Sequence, residues 1–253
     1  MNVGELGMIR AIVGLLEGVR RVAVGARSPL PAAAVLLARE LRGGDMWVSL
    51  LGSRRHGPLP DGGRELFDLA AQGRIELFFL SGCQIDGAGN VNLLGRFEGG
   101  RLVQRFAGNF GAPFMALAVP RLILFTHRHD RSTLVPRVDF ISAPGRGPEG
   151  CWRRGGPVAL VTPRALFTYC REQGRFLLAR LITARTAEEV AEHTGFAFAT
   201  APDLRPLSPP AKDELRLLAG PVADALCEVA PRFAQRLKAL AGTRELVPDA
   251  GDR

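Results

Sequence analysis

Lysine is nearly missing from this chain. Of its 33 basic residues, Lys212 and Lys238 are the lysines, so the formal net charge of +8 rests on arginine. Those arginines are spread along the whole length and form no clustered stripe of the kind that follows a phosphate backbone. The reading is therefore a protein without a nucleic-acid partner. Cysteine is also scarce. Cys83, Cys151, Cys170 and Cys227 contain no CxxC pair and no regular spacing, which fits reduced thiols better than a disulfide framework or a zinc site. No apolar run approaches the ~20 residues that span a bilayer. The apolar run over residues 11–16 is interrupted by Glu17 and Arg20, with no small-residue cleavage site after it, so no signal peptide is expected. The expectation is a soluble cytoplasmic protein that stays off the membrane. One further absence matters below: no Asp or Glu occurs from residue 46 to residue 60.

What is present is an ordinary globular balance. The 253 residues are 47% hydrophobic and 23% charged, enough to bury a sizeable core. In the first half, helix and strand patterns alternate. Residues 4–20 carry Leu6, Ile9, Val13 and Leu16 at helical spacing, and RVAVG (21–25) reads as a short buried strand. Ser28 followed by Pro29 opens a second helix through Leu41, which Gly43 and Gly44 end. MWVSLL (46–51) is the next strand, GRELFDLAAQ (63–72) a helix, and IELFFL (75–80) the third strand. Such alternation implies parallel strands joined by right-handed crossovers. Further strands are expected at 102–106, 121–125 and 138–142.

The second half changes character. Three short apolar runs within 157–181 are separated by turn residues, Pro163 and Gly174 among them, and read as an antiparallel meander. Thr186 with Glu189 three residues on has capping-box spacing for a helix over 186–195. Residues 208–218 start a last long helix. The Pro- and Gly-rich stretch 143–157 is taken as a loop within one domain covering 1–243, with 244–253 as a flexible tail.

In an open α/β sheet, ligands bind beyond the carboxyl ends of the strands. Three loops fall at such ends: residues 25–31, 52–60 and 81–92. The last, SGCQIDGAGNVN, crowds Gln84, Asp86, Asn90 and Asn92 into one turn. Those side chains can face a ligand, or satisfy backbone groups in Asx-turns. In FAGNFGAPF (106–114), Gly108 and Gly111 can let backbone amides approach an oxyanion or a phosphate. His127 and His129, two apart, have a spacing that can bind zinc, but no further ligand cluster is evident. No GxSxG elbow supports a Ser–His–Asp triad.

Read in order, VAVGARSPLPAAAVLLARE, GRIELFFLSGCQIDGAGNVN, FAGNFGA, RLILFTHRHDRSTLVPRVDFISAPG and TAEEVAEHTGFAF followed by PPAKDELRLL resemble the β subunit of the family I CoA-transferases, glutaconate CoA-transferase type. The resemblance spans roughly residues 8–220, and the Gln-Ile-Asp…Gly-Asn-Val-Asn stretch is its most specific piece. It implies an α/β CoA-transferase fold with an open, mostly parallel sheet flanked by helices. It implies acyl-CoA as substrate with no tightly bound cofactor, and an α-subunit-like partner in an α2β2 complex. It also places Gln84, Asp86, Asn90 and Asn92, with Gly25, Arg54, Gly108, Asn109 and Gly111, around the acyl and CoA site.

One departure stands out. Such transferases carry a nucleophilic glutamate in a Glu-x-Gly-like motif at the end of the second strand, and a relay of this kind needs a carboxylate. Here the stretch is VSLLGSRRHGPLP, and the position falls at Gly52 or Ser53. Arg54 and Arg55 beside it suit a carboxylate or a phosphate. Three readings stay open: CoA transfer; hydrolysis, C–C cleavage or decarboxylation on the same fold; or a non-catalytic assembly or ligand-binding subunit.

Overall fold

The computed structural model describes residues 1–57, 59, 61–147 and 150–242. The tail expected over 244–253, and Pro58 and Pro60 of the expected 52–60 loop, lie outside the described residues.

The first half folds as its alternation predicts. In chain order it runs α1 (Val3–Leu15), β1 (Arg21–Val24), α2 (Pro29–Leu41), β2 (Trp47–Leu50), α3 (Gly63–Ala71) and β3 (Leu77–Ser81). A capping box starts α1: the Glu5 amide donates to Asn2 Oδ1 at 2.8 Å, and the Asn2 amide donates to Glu5 Oε2 at 3.0 Å. Ser28 holds the N-cap of α2 but makes no capping bond, and Pro29 opens the first turn instead.

Two small antiparallel pairs then leave the sheet, β4 (Gln84–Ile85) with β5 (Val91–Asn92) and β6 (Gly95–Glu98) with β7 (Arg101–Arg105). The chain returns through α4 (Ala112–Ala118) to β8 (Arg121–Phe125). The second half gives β9 (Gly156–Val161), β10 (Ala165–Cys170), β11 (Arg175–Leu181), α5 (Ala187–His193) and β12 (Ala199–Pro206), then α6 (Lys212–Leu217), α7 (Ala223–Leu226) and α8 (Pro231–Lys238).

The main sheet has eight strands in the order β12-β11-β10-β9-β8-β3-β1-β2. Its pairs are parallel except β9 with β10 and β10 with β11, which form the expected meander. Strand alternation divides the core. Val22, Val24, Leu77 and Phe79 face α1, α2 and the C-terminal helices, while Ala23, Phe78 and Leu80 face α3 and α4. A fully buried Leu or Phe contributes about 1.5–3 kcal/mol, so these two faces hold the strands in fixed register.

Several expectations are corrected. Residues 102–106 do form a strand, but β7 belongs to an exposed hairpin and not to the main sheet. Residues 138–142 form no strand, because side chains take the amides a ladder would use: Val138 N–H goes to Asp86 Oδ2 and Asp139 N–H to Gln84 Oε1. The last long helix breaks after α6 into a π-turn over Leu218–Val222, where Pro221 lacks an amide and Gly220 leaves helical torsions. β12 and α4 carry no mark in the sequence reading. At α5, Thr186 Oγ1 accepts the Glu189 amide at 3.2 Å, but the Glu189 carboxylate reaches the Arg185 amide, one residue outside the expected box.

Candidate active site at the sheet's switch point

From β1 the chain steps outward to β2 and then crosses back over β1 to β3. Connection direction therefore reverses between β1 and β3, and this opens a crevice at their carboxyl ends. A cavity of ≈ 240 Å³ fills it. Gly25 and Ser28 wall it from the β1 side, Leu51 from β2, Phe78 and Ser81 from β3, and Asn109, Phe110 and Gly111 from the loop before α4. Gly111 is required where it sits, because a Cβ there would lie 2.1 Å from Phe67 Cζ. Its bareness lets the Phe67 ring close on the loop, where it packs against Phe110 at 5.7 Å and Phe114 at 5.5 Å. Phe110 is 84% exposed at the rim. Asn109 Oδ1 is buried with no hydrogen-bond partner among the described residues.

A broader groove of ≈ 710 Å³ adjoins the end of β2, lined by Ser49, Leu51, Gly52, Ser53, Arg54 and Gly57 among others. Leu51 belongs to both recesses. Gly52 turns the chain with φ of 93°, a torsion that favours glycine. Ser53 is buried, accepts the His56 amide at 2.8 Å, and donates its hydroxyl hydrogen to Glu228 Oε1. The Arg55 amide donates to the same oxygen at 3.3 Å. These donors, Ser53 first, hold the Glu228 carboxyl below the usual carboxylate range. Burial, followed by the Arg39 and Arg55 charges, lowers His56. A carboxylate thus does stand where the sequence shows none, delivered from 175 residues downstream by the turn after α7. Only the fold reveals it.

The polar loop after β3 is knitted to itself and to the strandless segment after Pro136. Asp86 Oδ1 accepts the Ala88 and Asn90 amides, and Oδ2 accepts Asn90 Nδ2 and the Val138 amide. Gln84 Oε1 accepts Asn92 Nδ2 at 2.7 Å, Asn92 Oδ1 accepts the Leu94 and Gly95 amides, and Asn90 Oδ1 accepts the Gly145 amide. None of the four side chains lines the cavity at β1 and β3. Their effect arrives through the backbone. Leu93, next to Asn92, lines the cavity, and its carbonyl takes the Gly108 amide at 3.0 Å, anchoring the loop that carries Asn109 and Gly111. The Gly108 N–H is thereby committed within the protein.

Of the expected site residues, the fold brings Gly25, Asn109 and Gly111 together around the cavity and sets Arg54, Gly52 and Ser53 in the adjoining groove. Phe67, Phe78 and Glu228 were not singled out from sequence. Phe67 and Phe78 read there as ordinary core positions. His127 and His129 follow β8 in a turn. His129 Nδ1 lies 2.7 Å from Thr162 Oγ1 and Nε2 lies 3.0 Å from Thr194 Oγ1, and burial lowers its pKa to about 4. Among the described residues, no group of three or more His, Cys, Asp or Glu is placed to hold a metal, and no helix is long and apolar enough to cross a membrane.

No family model matches the chain. It is 29% identical over 154 residues to the B subunit of 3-oxoadipate CoA-transferase from Pseudomonas knackmussii, covering 58% of each protein. It is 30% identical over 125 residues to the B subunit of glutaconate CoA-transferase from Acidaminococcus fermentans, covering 47% of this chain and 46% of that one. The chain is similar to the B subunits of CoA-transferases. The matched stretch spans about half the length of these curated relatives. In fold, this β-subunit-like chain matches IpdAB of Rhodococcus jostii RHA1 with a TM-score of 0.74 at 23% identity, covering 93% of this chain and 98% of that one. It matches glutaconate coenzyme A-transferase of Acidaminococcus fermentans with a TM-score of 0.73 at 19% identity, covering 87% and 94%. The decarboxylase AibA/AibB matches with a TM-score of 0.68 at 21% identity, covering 93% and 98%. At these identities the structures establish the shared CoA-transferase fold.

Proposed function

We propose that this chain is the β-subunit-like half of an acyl-CoA-processing enzyme, paired with an α-subunit-like protein in an α2β2 complex, with CoA and acyl-CoA as substrates and no resident cofactor. The observation that carries this reading is the cavity between β1 and β3, of a size to take an acyl group and bordered at Leu51 by a larger groove at Gly52–Arg54. In it, Gly25, Asn109 and Gly111 wall the acyl group, and Arg54 meets a phosphate or carboxylate of the ligand. Gln84, Asp86, Asn90 and Asn92 act as positioning residues that hold Leu93 and, through Gly108, the glycine loop. The names of the curated relatives, both B subunits of CoA-transferases, support transfer of CoA to a carboxylic acid.

A second reading, hydrolysis, C–C cleavage or decarboxylation on the same fold, is favoured by the nucleophile position itself. Gly52 and Ser53 stand there, and the carboxylate that reaches them is held by hydrogen bonds from Ser53 and Arg55, which weaken its nucleophilicity. The test is co-expression with an α-subunit-like protein from the same genome, followed by light scattering and an acyl-CoA turnover assay. A stable complex with two copies of each chain that consumes acyl-CoA supports the proposal. A monomer that turns over acyl-CoA unaided refutes it.

A further inference from the structure

Among the described residues, the cavity between β1 and β3 is lined by no ionisable side chain. Apart from Ser28, Ser81 and Asn109, its lining is glycine, alanine, leucine, phenylalanine and methionine. Arg54 lines the groove at β2, and Arg27 a small recess of ≈ 30 Å³ beside β1. An acyl chain with a carboxylate at its far end would lay that charge against a mainly apolar wall that offers it no cation among the described residues, a placement that disfavours binding. The acids in the names of the two curated relatives, 3-oxoadipate and glutaconate, carry two carboxylates each. The cavity volume of ≈ 240 Å³ suits a short acyl chain. Asn109 Oδ1, buried and without a partner among the described residues, is an acceptor waiting for a donor.

We infer that the acyl group taken by this cavity is uncharged: a short aliphatic or aromatic chain, best satisfied when it carries a hydroxyl or amide donor opposite Asn109, and not a dicarboxylic acid. This rests on the acyl-CoA reading and narrows its substrate class. Apolar burial against Phe67, Phe78 and Met115 supplies the affinity.

Hexanoyl and adipyl groups test this directly, because they share chain length and differ by the terminal carboxylate. In the assembled complex, hexanoyl-CoA should bind tighter than adipyl-CoA by at least about tenfold. Leu51→Arg, which sets a guanidinium at the junction of cavity and groove, should narrow or invert that ratio. In parallel, free hexanoate and adipate are titrated into the full chain while the methyl resonance of Met115 is followed. Hexanoate should shift it saturably, and adipate should not. Adipyl-CoA binding as well as hexanoyl-CoA to the wild-type complex overturns the inference and leaves the acyl-CoA reading intact. Hexanoate selectivity at Met115 with no binding of either CoA ester supports the inference for the cavity and removes the acyl-CoA reading. No shift with either acid overturns it.

Discussion

Replacing Asp86 by alanine should destabilise the fold before it affects any ligand. The carboxylate is 4% exposed and accepts hydrogens from the Ala88, Asn90 and Val138 amides and from Asn90 Nδ2, at 3.1, 3.0, 3.3 and 3.0 Å. Hydrogen bonds to a charged acceptor contribute about 1.5–3 kcal/mol when the loss cannot be repaired by water. Ala88 is exposed, so its amide regains a water partner. Val138 is 5% exposed, and its amide is stranded. Discounting the recoverable bonds leaves a loss of about 3–4 kcal/mol, a large share of the ~5–15 kcal/mol that holds an ordinary domain together. Asp86→Asn should fall between the two, because its Oδ1 can keep the two loop amides while its NH₂ faces the Val138 N–H donor to donor. The measurement is the urea midpoint of each variant at unchanged slope, with acyl-CoA affinity determined on the folded fraction. If Asp86→Ala keeps the wild-type midpoint within about 0.5 kcal/mol yet loses acyl-CoA binding, the knitted-loop account is wrong and the carboxylate meets the ligand directly.

Three further outcomes are expected. Folding lowers the His129 imidazole to about 4 from an ordinary 6.5, mainly through burial, so the associated stability is whole above pH 6.5 and is lost as the pH falls toward 4. The amplitude is about 3 kcal/mol. Denaturant midpoints measured across that window should decline, and His129→Gln should flatten the slope; a wild-type profile already flat between pH 6.5 and 4 would contradict the assignment. Glu228 ties the turn after α7 to the β2 loop through Ser53 and Arg55. Glu228→Ala should therefore speed hydrogen exchange at the Arg55 amide. Borohydride treatment of the wild-type complex in the presence of acyl-CoA should leave every carboxylate of this chain unreduced. A reduced residue mapping to Glu228 would instead make it the covalent nucleophile.

How much of this could be read from the letters depends on the range of each interaction. The units β1–α2–β2–α3–β3 are local, set by apolar periodicity and by Gly43, Gly44 and Pro29, and they stand within a few residues of where the pattern puts them. The meander over β9, β10 and β11 is local in the same way. β12 is not: Pro202 and Pro206 spoil its strand pattern, and it survives as an edge strand beside β11, where one side of its backbone needs no partner. Residues 138–142 fail for the opposite reason. Their β-prone letters promise a strand, but Gln84 and Asp86, more than fifty positions upstream, take the amides that strand would need.

The candidate site divides along the same line. That Gly25 sits at a strand end follows from local pattern; that Asn109 and Gly111 meet it there does not, because they lie between a hairpin outside the main sheet and α4. That Gln84, Asp86, Asn90 and Asn92 serve each other and not the cavity does not follow, because an Asx-turn and a binding wall draw on the same residue types. The missing carboxylate is the clearest case. Residues 46–60 hold no acid, yet the β2 turn presents the buried Ser53 hydroxyl and the exposed Arg55 amide as donors, and a buried hydroxyl has to be met. The demand for an acceptor is written at Ser53; the residue that answers it, Glu228, is chosen by where the π-turn at Pro221 lets the last helices fall.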